Sequence, residues 1–91
     1  MKEVIVIKKE KIKNGWKFSV RVEEKKYSVE LTEDYWKQLT GTSATPEKLV
    51  EQSFSFLLMR EPKESILPTF NLKQIQSYFS DYEEKIKSMY K

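Results

Sequence analysis

The stretches Trp16-Lys17-Phe18-Ser19-Val20-Arg21-Val22-Glu23 and Lys26-Tyr27-Ser28-Val29-Glu30-Leu31 decide the fold. In both, large apolar side chains alternate with polar ones, the two-residue period of a strand with one face buried and one wet. Glu23-Glu24-Lys25-Lys26 supplies a polar connection between them. Upstream, Asn14-Gly15 is a hairpin signal, because both residues accept positive φ. A three-stranded antiparallel meander follows, over approximately 3–12, 16–23 and 26–31.

The first strand reads differently. Val4 and Val6 point to one face and Ile5 and Ile7 to the other, and then Lys8-Lys9-Glu10-Lys11 is charged on both. A three-residue loop, Lys13-Asn14-Gly15, places Ile12 opposite Trp16 and Val6 opposite Val22. A two-residue loop places Lys9 and Lys11 opposite Val20 and Phe18. The first register is expected, since the second puts ammonium groups on the buried face. In either register one apolar pair of the strand faces away from the core and asks for cover, from a C-terminal helix or a second copy of the chain.

After Leu31 the pattern turns helical. Thr32 is an N-cap with Glu33 and Asp34 in the first turn, and Gly41 is a stop after Tyr35-Trp36-Lys37-Gln38-Leu39. Thr45-Pro46-Glu47 starts the longest helix, about 46–60, which Pro62 ends. Leu49, Val50, Ser53, Phe54, Leu57 and Leu58 span about half its circumference, and Phe56 and Met59 widen the arc. Farther on, Asn71 and Gln74 form a capping box, with Phe70 and Ile75 as a hydrophobic staple. Ser80 and Glu83 read as a second box, before a helix whose apolar stripe is Tyr82, Ile86, Met89 and Tyr90. Strands segregated before helices predict an α+β fold: a three-stranded antiparallel sheet from the N-terminal third, packed against several C-terminal helices in a single domain, 1–91.

The run Leu49-Val50-Glu51-Gln52-Ser53-Phe54-Ser55-Phe56-Leu57-Leu58-Met59-Arg60-Glu61-Pro62, followed by Glu64-Ser65-Ile66-Leu67, carries the pattern SFxFLLxREPxxSIL. Phe70-Asn71-Leu72, Ile75, Tyr78-Phe79 and Tyr82-Glu83 continue it as FxLxxIxxYFxxYE. Together they resemble a family of small uncharacterised prokaryotic proteins, over residues 49–83, with a weaker echo in Tyr35-Trp36-Lys37-Gln38-Leu39-Thr40-Gly41. The family pattern often has Asp at the position of Asn71 and Pro at that of Ser80. Both are capping positions, so the departures touch helix ends and leave the core alone. The resemblance implies a compact fold with a structured C-terminal half, and it carries no activity.

Composition narrows the function classes. The chain has 91 residues, no Cys and no His, which removes disulfides, Cys/His zinc sites, thiolate nucleophiles and Ser-His or Cys-His pairs. Only Gly15 and Gly41 are glycines, so there is no phosphate-binding loop. Adjacent carboxylates at Glu23-Glu24, Glu33-Asp34 and Glu83-Glu84 point apart, and none makes an acid/base dyad or a hard-metal cage. A non-catalytic protein is expected, with no cofactor and no metal. The apolar run Val4–Ile7 is far too short for a signal peptide core or a membrane span, so no membrane association and a cytoplasmic location are expected.

The net charge of +3 is unevenly placed: residues 1–31 carry nine basic and five acidic side chains, 32–61 three and five, and 62–91 five and four. The excess sits in the hairpin, where Lys9, Lys11, Lys13, Lys17 and Arg21 could neutralise phosphates. Glutamates lie among them, and edge-strand lysines also guard against edge-to-edge pairing, which is the preferred reading. Arg60 is a candidate anion hook. It equally suits a helix C-terminus or a carboxylate partner, and that structural role is preferred. The twelve aromatics sit mostly at core-like positions. The leading expectation is a module that self-associates, as a homodimer, or binds another protein, with Val4, Ile5, Val6, Ile7, Tyr82, Ile86, Met89 and Tyr90 at the interface. A nucleic-acid-binding protein using the hairpin is the alternative.

Overall fold

The computed structural model describes residues 3–90. Strands β1 (Val4–Ile12), β2 (Gly15–Val22) and β3 (Lys25–Thr32) form the antiparallel meander. Helices α1 (Glu33–Thr40) and α2 (Pro46–Arg60) follow, then a 3-10 turn at Lys63–Ser65 and a short strand β4 (Thr69–Asn71). A second 3-10 turn, Leu72–Gln74, leads into α3 (Ile75–Tyr78), and α4 (Tyr82–Ser88) ends the described chain. The fold is α+β. Its sheet has four strands in the order β1-β2-β3-β4, where three were expected. β4 runs parallel to β3 and is held by a hydrogen bond from the Ser28 amide to the Pro68 carbonyl, 2.7 Å. Three residues are too few to show a period, and so the strand leaves no pattern in the sequence.

Local chemistry sets the helix ends. The Thr32 hydroxyl accepts from the Tyr35 amide, and Gly41 closes α1 in the left-handed conformation at φ 59°. The Thr45 hydroxyl accepts from the Lys48 amide, Pro46 occupies the first turn, and α2 stops at Glu61, one residue before Pro62. The Asn71–Gln74 capping box is present, although it starts a 3-10 turn and not directly an α-helix. The expected Ser80 cap is absent. Gln76 takes its place: its amide nitrogen donates to the Ser80 carbonyl at 2.7 Å and its carbonyl accepts from the Glu83 amide at 2.9 Å.

The β1–β2 register corrects the expected one. The connection is the two residues Lys13-Asn14, with Ile12 opposite Gly15, Lys11 opposite Trp16 and Lys9 opposite Phe18. A bulge between Val6 and Lys8 then resets the phase, so that Val6 faces Val20 and Val4 faces Val22. Lys9 and Lys11 therefore lie on the face that carries the core. They are tolerated there because β1 is an edge strand: their ammonium groups sit 5.5 and 5.0 Å from the Trp16 ring centre, and Lys9 reaches Glu47 at 3.2 Å. The stems cover apolar surface while the heads stay wet. Gly15 is required for a different reason from the one the hairpin signal suggests, since φ is positive at neither Asn14 nor Gly15. A Cβ at Gly15 would run into the Leu31 carbonyl oxygen and lie 2.7 Å from the Thr32 Cα.

The core lies between one sheet face and the helices. Phe18, Val20, Val22, Val29 and Leu31 of the sheet are fully buried, as are Leu49, Val50 and Phe54 of α2 and Tyr82 and Ile86 of α4. Phe56 and Leu57 are buried as the α2 arc predicts, but Met59 is 84% exposed, so the helix is not wrapped on every side. The accessible surface is 5652 Å², against roughly 5,600 Å² for a compact monomer of this mass. The chain covers most of its own apolar stripes, leaving Met59 and Met89 exposed.

Candidate functional site

That coverage takes up half of the expected interface residues. Tyr82 and Ile86 are fully buried within the chain, and Val4 and Val6 pack against the core, so these four offer little to a partner. Tyr90 is half-buried. Ile5 shares the open sheet face with Arg21, Ile7 sits in the bulge at 52% exposure, and Met89 is 53% exposed at the far end of α4. Ile5 and Ile7 both belong to β1, and Met89 stands apart from them at the end of α4.

The Tyr82 hydroxyl lies 2.6 Å from the Ser53 hydroxyl, itself fully buried. Ser53 donates its one proton to the Leu49 carbonyl at 2.8 Å, so Tyr82 is the donor in the pair. Burial pushes the Tyr82 hydroxyl well above its ordinary pKa. Tyr35 is raised as well, first by burial and then by its 2.9 Å hydrogen bond to the Glu83 carboxylate. Both phenols stay protonated, as structural donors fastening α4 to α2 and α1.

Arg60 takes the structural role. Its guanidinium pairs with Asp81 at 2.6 Å and stacks on the Phe56 ring, 3.8 Å from the centre, tying the end of α2 to the start of α4. The basic hairpin is divided between two surfaces. Lys9 and Lys11 turn toward Trp16, while Lys17 and Arg21 occupy the open face of the sheet, where Lys17 stands between Glu10 and Glu30 in the cross-strand row. Lys8, also basic, pairs with Glu10 at 3.1 Å and holds that carboxyl below its usual range. Lys13 is exposed in the turn, beside a polar hollow of about 390 Å³ whose walls carry Lys11 and Lys73 but also Glu33 and Asp34. Charges of both signs compensate there.

A second concavity is apolar. A groove of about 310 Å³ runs between the last turn of α2, the reversal after Pro62, and α3. Leu57, Ile66, Phe70, Ile75 and Phe79 form its floor and walls, and Leu67 and Tyr78 stand on its rim, 48% and 67% exposed. Glu61 is the one charged side chain lining it, with Ser65 and Gln74 as the other polar groups. The wall formed by Ser65–Leu67 is pinned from behind. Tyr27 donates to the Lys63 carbonyl at 2.6 Å, and the Lys63 ammonium meets Glu64, Glu23 and Glu24 at 3.0, 3.2 and 3.5 Å. Those contacts hold Lys63 above its ordinary pKa, led by Glu64 and Glu23, and the Lys63 hydrogen bond holds Glu64 below its own.

Sequence periodicity finds the core members of the groove but not the groove. The staple pair Phe70 and Ile75 was expected to close on itself at a helix start; both are buried, yet both also line the open concavity. Among the described residues no group of three or more acidic side chains is placed to hold a metal ion, and no helix is long and apolar enough to cross a membrane. Comparison with protein-family models, curated proteins and solved structures finds no match to this chain. The groove is therefore read from its own chemistry.

Proposed function

We propose that the protein is a small non-catalytic binding module that docks another protein through the apolar groove between α2 and α3. The observation that carries this reading is the exposure of Leu67 and Tyr78 together on the rim of one concavity floored by Leu57, Ile75 and Phe79; the other exposed large apolar side chains, Ile7, Met59 and Met89, line no part of it. Tyrosine and leucine around an apolar floor suit an interface centre, where aromatic anchors concentrate binding energy. The groove falls within the size range of small-molecule pockets. Its rim residues remain half-exposed, however, which suits a flat or extended partner better than a ligand that must be enclosed.

The hairpin gives the nucleic-acid reading less support, because its five cations do not share one surface and several already face carboxylates or an aromatic ring. Self-association is the nearer alternative.

A photo-reactive phenylalanine analogue placed at Tyr78 tests the proposal in cells. A discrete protein adduct is expected from that position, suppressed by Leu67→Glu in the same chain, with none from the same analogue at Arg21. Equal adduct yields at the two positions, or no protein adduct at Tyr78, would discard the groove as the binding surface.

A further inference from the structure

We infer that the partner segment the groove accepts is an apolar peptide carrying a lysine or arginine next to its apolar anchor, an inference that rests on the groove being the docking site. Two features of the groove mouth are electronegative, and the adjoining cation, Arg60 in the last turn of α2, is already committed to Asp81. Glu61 is its one charged lining residue, and among the described residues it makes no ion pair. Glu61 also caps the C-terminal end of the fifteen-residue α2, where unsatisfied carbonyls give the helix its negative pole.

The cations nearby in sequence are already engaged. Arg60 is held by Asp81 and stacked on Phe56, and Lys63 is surrounded by three glutamates on the other side of the chain reversal. No Lys or Arg lines the groove. A cationic side chain on the occupant completes the charge pattern while its neighbours fill the apolar floor. The same features disfavour a second copy as occupant, since two chains meeting groove to groove would bring two Glu61 carboxylates and two negative helix ends toward each other.

Three blocked peptides test this, identical in a leucine-phenylalanine anchor and differing at one adjoining position, which is lysine, norleucine or glutamate. Each is titrated against the full chain at low salt and followed by amide chemical shifts. The lysine peptide is expected to bind about three-fold tighter than the norleucine peptide, and the glutamate peptide weaker by a similar factor, as suits a partly exposed ion pair. Glu61→Gln should flatten the order, Glu61→Lys should invert it, and added salt should shrink it. Equal affinities for all three peptides, each abolished by Tyr78→Ala, would overturn the basic-partner inference and leave the groove reading standing. Binding unaffected by Tyr78→Ala would remove both. Absence of binding by any peptide would also overturn the inference; sedimentation of the chain as a Leu67-dependent dimer would then identify a second copy as the occupant.

Discussion

The two edges of the sheet are built in opposite ways. On one side β1 is nine residues long and carries the most conspicuous sequence features, a two-sided apolar start and a run of lysines. On the other side β4 is three residues long and leaves almost no trace in the sequence. Yet the long edge is the self-sufficient one. Its bulge at Ile7 breaks the ladder, Lys9 and Lys11 cover Trp16, and Val4 and Val6 turn inward. Those are devices that protect an edge from further pairing. The short edge passes directly into the chain segment that leaves an apolar groove open. Conspicuous charge marks the defended surface, and the candidate for binding lies where side chains from α2, the reversal and α3 converge.

Substitutions can separate the two. The largest effect is expected at the hairpin that fixes the long edge. Gly15→Ala forces a methyl group against the Leu31 carbonyl and Thr32 backbone, and a loss of at least about 3 kcal/mol in urea unfolding is expected, because packed backbone cannot yield as a side chain does. A loss below about 1 kcal/mol would show that the β2–β3–α1 junction is looser than described.

Next in size is the buried pair that joins α2 to α4. Ser53→Ala strands the Tyr82 hydroxyl in the core, at a cost of about 2 kcal/mol. Tyr82→Phe removes the donor itself and leaves Ser53 bonded to Leu49, so it should cost only about 1 kcal/mol. Equal costs, or the reverse order, would contradict the assignment of Tyr82 as donor.

At the defended edge, Lys9→Ala with Lys11→Ala removes one surface ion pair and the cover over Trp16. Stability should fall by less than about 1 kcal/mol. The clearer expected effect is concentration-dependent association through the bared edge, seen in light scattering. A double variant that stays as monodisperse as the wild type would deny the lysines their protective role.

The smallest effect is a local one with pH. Because Glu64 is held below its usual range, its contribution is complete above its unfolded pKa and is lost as pH falls through the lower, folded value. Lys63, held above its range, contributes below its unfolded pKa and loses that contribution only in strong alkali. Acidifying from about pH 5 to about pH 3 should therefore loosen the Lys63 clasp first. Amide exchange at Ser65 and Ile66, corrected for intrinsic rates, should quicken while Val20 stays protected. Unchanged protection at Ser65 would detach the clasp from the groove wall.

The parts of this fold that were legible depend on neighbours in sequence. Alternation from Trp16 to Val22 and from Tyr27 to Leu31 assigned the buried faces correctly, and the Thr32, Thr45 and Gly41 caps placed α1 and α2. What failed depends on distant partners. The Ile7 bulge resets a register that turn chemistry alone could not supply, and Lys9 on the core side is acceptable only because Trp16 and Glu47 lie beside it. Of the stripe Tyr82, Ile86, Met89 and Tyr90, the first two form the buried face of α4 and the last two lie past its end, Met89 exposed; amphipathic spacing does not say whether the cover is a partner or the same chain. Ser53, twenty-nine residues upstream of Tyr82, settles that it is the same chain for Tyr82. The groove was unreadable for the same reason: its residues read as core, and the reversal that forms one of its walls is anchored by Tyr27 and Glu23, some forty residues upstream.

The contrast between the edges is tested most directly by mapping the amide shifts of the full chain on titration with the lysine-bearing leucine-phenylalanine peptide. Saturable shifts are expected to cluster at Leu57, Glu61, Leu67, Ile75 and Tyr78, with Ile5, Lys9 and Arg21 unmoved. Shifts clustered along β1 and the open sheet face, with the groove residues silent, would contradict it.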